Sequence, residues 1–285
     1  MTQAIRRGGV AIVTGAAMGI GYAIAHRLAK EGMKLVLLDH DGRMLTQASE
    51  RLHTDFPELE LRSIAGDVTS ETAGAAMGRE AEALGEISVI VNNAGILKGA
   101  GPYENIEQWR QTMEVNFWSM LGIQQHFVGP LLDQPSASAI VNVGSKEGIT
   151  TRPGNAAYAL SKAAVRVLTE QLAYELREQV GDRVTAHLLI PGYTFTPMNF
   201  PGTTYDSPKP EAPWSADQVA DRMVQGVRAG EFYIFCEDNE VTSELDQRRM
   251  QWAMDDLIKR RPALSRWHPD FKNEFAAFAK SSEPR

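Results

Sequence analysis

At 285 residues, with 43% hydrophobic and 23% charged residues, the chain has the composition of a globular protein with a substantial core, not of a disordered one. A formal net charge of -7 argues against binding nucleic acid, which needs a clustered basic face; Arg248-Arg249 and Arg260-Arg261 read as solvated helix faces. The single Cys236 excludes an intramolecular disulfide, no Cys/His spacing suits a metal, and no apolar run approaches the ~20 residues of a membrane helix.

Met1 to Gly9 shows no signal-peptide pattern, so a reducing cytoplasm is the expected setting. From there β-branched runs alternate with amphipathic stretches. A strand is predicted at Val10–Thr14, a helix from about Ile20 to Glu31, a strand at Lys34–Asp39 and a helix from Gly42 into the fifties. The alternation continues with Leu59–Ala65, a helix Ser70–Leu84, Ser88–Asn92, one long helix Glu107–Leu132, and Ala139–Gly144. A helix at Ala156–Gln179, a strand at Val184–Ile190, a helix at Ser215–Arg228 and a strand at Glu231–Phe235 follow. Seven strands joined by helices predict an α/β doubly wound fold: a parallel sheet, helices on both faces, right-handed crossovers.

Residues 1–236 read as one domain and 237–285 as a helical C-terminal extension, with helices at Glu240–Arg261 and Pro269–Lys280. Its aromatic residues, Trp252, Trp267, Phe271, Phe275 and Phe278, suit packing on the tail's own core or on a neighbouring subunit. The stretch from Pro191 to Trp214, rich in Pro, Gly and aromatics, has the composition of an irregular covering loop.

Thr14-Gly15-Ala16-Ala17-Met18-Gly19-Ile20-Gly21 joins the first strand to the first helix. Such a turn lets backbone N–H groups and the helix's positive end approach a pyrophosphate. Asp39, 24 residues beyond Gly15 at the end of the second strand, suits the ribose hydroxyls of an adenosine and repels a 2′-phosphate, which favours NAD over NADP. Asp41 suits a helix cap instead. Tyr158 and Lys162 lie four apart on one helix face, where an ammonium can lower the pKa of a phenol.

These glycines, with Asp67-Val68, Asn92-Asn93-Ala94-Gly95, Asn116, Ser145, Tyr158-Ala159-Leu160-Ser161-Lys162 and Pro191-Gly192, resemble the short-chain dehydrogenase/reductase family over about residues 8–235. The resemblance implies a Rossmann fold with strand order 3-2-1-4-5-6-7, and hydride transfer between a nicotinamide and an alcohol or ketone. It implies Tyr158 as catalytic acid/base, Ser145 as partner of the substrate oxygen, Lys162 on the nicotinamide ribose and Asn116 in a water relay. It further implies that Gly15, Met18, Gly19, Ile20, Gly21, Asp39, Asp67, Val68, Asn93, Ala94, Gly95, Pro191, Gly192, Thr194 and Thr196 bind cofactor, with Asn92 and Ala94 along the adenine ribose. The segment from Phe195 to Trp214 resembles a substrate lid, whose aromatics suggest an apolar or ring-containing substrate. Glu147, Tyr193, Met198, Phe200 and Trp214 are the candidates for contact with it, beside Ser145. The family also implies a homo-oligomer, tetramer or dimer, through the helices of Asn116 and Tyr158. An epimerase or dehydratase, or a non-catalytic dinucleotide sensor, would share much of this pattern.

Lys146-Glu147 depart from the family, where small or apolar residues are common after the serine. Either one of them borders the substrate and selects a polar or acidic group, or the two form a mutual surface ion pair of little consequence.

Overall fold

The computed structural model describes residues 3–280. Nine strands and nine α-helices occur among them: β1 Val10–Thr14, α1 Gly19–Lys30, β2 Lys34–Asp39, α2 Gly42–Asp55, β3 Leu61–Ala65, α3 Ala73–Leu84, β4 Ile87–Asn92, α4 Ile106–Met113, α5 Ser119–Asp133, β5 Ser138–Val143, α6 Ala156–Val180, β6 Val184–Ile190, β7 Thr194–Phe195, β8 Trp214–Ser215, α7 Ala216–Ala229, β9 Tyr233–Phe235, α8 Ser243–Ile258 and α9 Lys272–Lys280. Seven strands form one parallel sheet in the order β3-β2-β1-β4-β5-β6-β9. The expected order therefore holds, its seventh member being β9 because the covering loop contributes the two-stranded β7-β8 ladder.

Every residue of β1, β4 and β5 is buried, as a sheet covered on both faces requires. Side chains alternate across it. Ala11, Val13, Val89 and Val91 enter a core shared with α1 and α7, whereas Val10, Ile12 and Ile90 enter one shared with α3, α5 and the far end of α6. β3, the exposed edge, buries only Leu61 fully.

The single helix expected over Glu107–Leu132 is interrupted: a π turn at Glu114–Trp118 separates α4 from α5. Such turns carry one extra residue and gather at functional sites, and this one holds Asn116. α3 starts at Ala73, later than expected, because Ser70 and Thr72 bond one another in a turn behind Asp67. In the extension Thr242 caps α8 through the Leu245 N–H, which trims that helix to Ser243–Ile258, and α9 starts at Lys272. Trp252 is buried there, its indole donating to Ser265 Oγ at 2.8 Å and its ring packed on Phe275 and Phe278. No described helix is long and apolar enough to cross a membrane.

Candidate active site

The expected site residues converge where strands β1, β2, β4, β5 and β6 end, the edge at which open parallel sheets bind ligands. At one end of this line the turn after β1 is held by β4. The Asn93 amide donates to the Thr14 and Gly15 carbonyls at 3.0 Å each, while Thr14 Oγ1 accepts from the Asn93 and Ala94 N–H groups. The first turn of α1 passes so close to Gly15 that a Cβ on Gly21 would sit 2.0 Å from the Gly15 carbonyl oxygen. α1 then opens with no side-chain cap and no acidic residue in its first turn, leaving its positive end to an external anion.

Asp39 is 6% exposed at the end of β2. One carboxylate oxygen accepts from Ala17 N–H at 2.9 Å, the other from Asp41 N–H at 3.0 Å. The acid thus organises the glycine turn and keeps a negative charge at the position expected for a ribose. Asp41 caps α2 through the Met44 N–H, as read from the sequence. Asp67 accepts from the Thr69 N–H and hydroxyl, and these bonds hold its carboxyl below the usual range. Val68 is buried beside it. Asn92 turns its side chain away from the turn, being buried in the sheet and donating to Asn142 Oδ1 at 2.8 Å. At a strand end the side-chain alternation that sends Asn93 to the turn sends Asn92 inward.

At the other end Ser145, Tyr158 and Lys162 come together. Ser145 follows β5 and caps a short 3₁₀ turn, Lys146–Gly148, by accepting from Glu147 N–H. It lies against Tyr158, which stands in the first turn of α6, close enough to act on the phenol. Lys162, one turn on, is buried and donates to the Val143 carbonyl at 2.8 Å, with its nitrogen 5.7 Å from the Tyr158 ring centre. Burial pushes the Tyr158 phenol up to about 12, the Ser145 hydroxyl opposing and Glu147 reinforcing the rise. Burial also brings the Lys162 ammonium down to about 8. In this arrangement it is burial and not Lys162 that sets the direction of the phenol. Tyr158 is a proton-bearing phenol at neutral pH.

Asn116 is fully buried, with its amide donating to the Ile96 carbonyl and Ser161 Oγ, and its oxygen accepting from the Ile96 N–H. The side chain pins the segment after β4, including Gly95, against Lys162.

Pro191 and Gly192 follow β6 beside Ser145, the Pro191 carbonyl accepting from Lys146 N–H. Thr194 and Thr196 are buried, the former donating to the Gly192 carbonyl and the latter lying against Gly19. Tyr193, Phe195 and Phe200 form an aromatic cluster with ring centres 4.9–5.5 Å apart along the chain of contacts, and Met198 lies half-exposed near them. Trp214 does not join them: it packs on the core shared by α1 and α7. Glu147 faces Tyr158 and pairs with Arg152 at 3.0 Å. Lys146 meets neither expectation, since it pairs with Asp238 and Asp246 of the extension, not with Glu147 or a substrate position.

At the tip of the covering loop a further aromatic side chain faces the glycine turn. Tyr205 stacks on Tyr22 of α1 with ring centres 4.4 Å apart and donates to the Ala17 carbonyl in the glycine turn. Arg51 of α2 lies over Tyr205 and pairs with Asp206 at 2.8 Å. A cavity of about 490 Å³ lies beneath, lined by Met18, Gly19, Tyr22, Phe195, Thr196 and Tyr205, so the loop covers the glycine turn.

Residues 9–204 match the short chain dehydrogenase family. The chain belongs to that family. Over 250 residues it is 32% identical to 1-deoxy-11-beta-hydroxypentalenate dehydrogenase of Streptomyces avermitilis, covering 85% of this chain and 89% of the relative. Over 194 residues it is 38% identical to galactitol 2-dehydrogenase (L-tagatose-forming) of Cereibacter sphaeroides, covering 67% and 73%. A short chain dehydrogenase/reductase from Burkholderia phymatum, solved in complex with NAD, superposes with a TM-score of 0.79 at 27% identity over 90% of this chain and 96% of that one. This short chain dehydrogenase is an oxidoreductase acting on CH–OH groups with a nicotinamide dinucleotide. The uncapped α1, the carboxylate of Asp39 and the trio at β5 and α6 fit such a cofactor from end to end.

Proposed function

We propose that the protein interconverts a secondary alcohol and its ketone on an apolar or ring-containing molecule, with NAD as cofactor. The carrying observation is the meeting of Ser145 and Tyr158 beside the buried Lys162, at the end of the line that begins with the glycine turn. Gly15, Met18, Gly19, Ile20 and Gly21 hold the pyrophosphate. Asp39, Asp67, Val68 and Asn93–Gly95 hold the adenosine half; Lys162, Pro191, Gly192, Thr194 and Thr196 hold the nicotinamide half. The cofactor supplies or accepts the hydride at C–H. Ser145 orients the substrate oxygen, and Tyr158 gives it a proton in reduction or takes one in oxidation.

Preference for NAD rests on Asp39, buried at the ribose position with no Lys or Arg in residues 14–21, and the NAD-bound relative supports it. The Tyr193, Phe195 and Phe200 cluster supports an apolar substrate, and the hydroxypentalenate named for the Streptomyces relative supports a hydroxyl-bearing one. Self-association as a dimer or tetramer through α5 and α6 is supported by Leu160, Val167 and Tyr174, half-exposed at seven-residue intervals on α6, and by half-exposed Trp118. A cytoplasmic setting agrees with the lone, buried Cys236.

The test is a panel of cyclic, aryl and aliphatic secondary alcohols with NAD and with NADP, following nicotinamide reduction. Only NAD supports fast turnover, and Tyr158→Phe lowers kcat about 10³-fold while still binding NADH. Equal rates with NADP would remove the role given to Asp39; an active Phe variant would remove the mechanism.

A further inference from the structure

The residue after the catalytic serine is joined to the C-terminal extension by charges that the surrounding chain buries. Lys146 Nζ lies 2.5 Å from Asp246 Oδ2 and 3.6 Å from Asp238 Oδ2, with the lysine, Asp246 and Asp238 side chains 15%, 10% and 5% exposed. A buried ion pair adds little stability over apolar groups of the same size, because dehydrating the charges offsets their attraction; what it does enforce is a geometry.

That geometry touches both segments flanking the substrate oxygen. Lys146 belongs to the 3₁₀ turn capped by Ser145, and its N–H reaches the Pro191 carbonyl. The oxygen of Asp238 that faces the ammonium also accepts from Tyr193 N–H at 3.4 Å. Between them the chain passes at Gly192, where a Cβ would stand 2.8 Å from Lys146 Nζ and 3.0 Å from Asp238 Oδ2, so glycine lets the groups close without displacing either. The next residue, Asn239, donates to the Glu211 and Ala212 carbonyls at the far end of the covering loop. Asp246 is held in turn by Arg249 at 3.6 Å.

We propose that Lys146, Asp238 and Asp246 form a positioning clamp through which the extension holds Ser145 and the Pro191–Tyr193 turn in register with Tyr158. The proposal rests on the reading of Ser145 as the residue that orients the substrate oxygen. Without the ammonium, two buried carboxylates face each other with Arg249 as their remaining close cation, and the two turns move apart. Since reacting atoms tolerate little displacement, the loss falls on kcat and not on dinucleotide binding.

The experiment uses full-length protein, the fastest alcohol of the panel above, and NADH titrated by fluorescence. Lys146→Met is expected to lower kcat about 100-fold, with the NADH Kd within about threefold of wild type. Lys146→Arg, which keeps the charge, recovers most of the loss. The double variant Ser145→Ala/Lys146→Met is no slower than Ser145→Ala, because a residue acting through Ser145 has nothing left to position. Wild-type kcat in Lys146→Met, or losses that multiply in the double variant, would overturn the clamp. If circular dichroism finds Lys146→Met unfolded, Asp246→Asn serves in its place, with the same pattern expected and wild-type kcat overturning it. Full activity in Ser145→Ala would remove the catalytic reading and the clamp together, whereas an inactive Ser145→Ala beside a wild-type Lys146→Met removes the clamp alone.

Discussion

At the dinucleotide end, residues 14–21 and 92–95 hold one another through main-chain groups and short amides: Thr14, Asn93 and the Asp39 carboxylate on Ala17 N–H. At the substrate end, residues 145–147, 191–214 and 237–246 are held by long charged side chains, Lys146 to Asp238 and Asp246, Glu147 to Arg152, Arg51 to Asp206. The first arrangement runs through main-chain groups and leaves no room to vary. The second runs through side chains that can be exchanged one residue at a time, which suits a scaffold that keeps its cofactor and changes its substrate.

The largest effect should come from breaking the tight end. In Gly21→Ala the new methyl meets the Gly15 carbonyl at 2.0 Å, a backbone atom that cannot swing aside. Overpacking of about 2–3 kcal/mol is expected, read as roughly 100-fold weaker NADH binding or as the same loss in denaturant unfolding. Unchanged binding and stability would mean that the turn is more pliable than its contacts imply.

Lys162→Met sharpens the contrast, because it should lose activity and gain stability. The folded ammonium titrates at about 8 against 10.5 for the free side chain, so the folded state binds fewer protons than the unfolded one between these values. Wild-type stability therefore rises as pH rises from 8 towards 10.5; Tyr158, raised from 10 to about 12, opposes this only above pH 10. At pH 7 the Met variant should be about 2 kcal/mol more stable, the dehydration penalty less the bond to Val143, and its stability should stay flat from pH 8 to 9, above which the buried Cys236 thiol, raised from 9 to about 12, lowers it. Urea titrations at pH 7 and pH 9 check both; a destabilised Met variant would contradict the buried-charge account.

The smallest effect belongs to the exposed pair. Asp206→Ala frees the loop tip from Arg51 but leaves Tyr205 on Tyr22, so the cost is within ~1 kcal/mol and the KM for NAD rises about threefold at most. The effect should vanish at 1 M salt. A tenfold change in KM would place the loop tip among the groups that close the cofactor site.

The same contrast explains what could be read from the sequence. The strands, the glycine turn and the shared face of Tyr158 and Lys162 follow from periodicity and spacing, which encode local geometry, whereas the strand order and the place of Ser145 beside them follow from the resemblance to the family. Asn92 turns inward where its neighbour Asn93 supports the site, because one residue along a strand reverses the face. Lys146 misleads because its partners lie in the extension, and no spacing announces a contact across that much chain. The raised phenol of Tyr158 escapes a reading of pairs alone, since dehydration depends on everything packed around the ring. Trp214 escapes because a loop residue can turn to either side of its ladder.

The π turn at Glu114–Trp118 has a consequence for variation in length. With one residue more than an α-helical turn, it puts the surfaces of α4 and α5 about 100° out of phase. Deleting a single residue there would yield one continuous helix, but it would swing either Asn116 away from Ile96 or Ile123 and Phe127 out of the core. Insertions and deletions among relatives should therefore avoid this stretch and collect in the exposed loop just before α4.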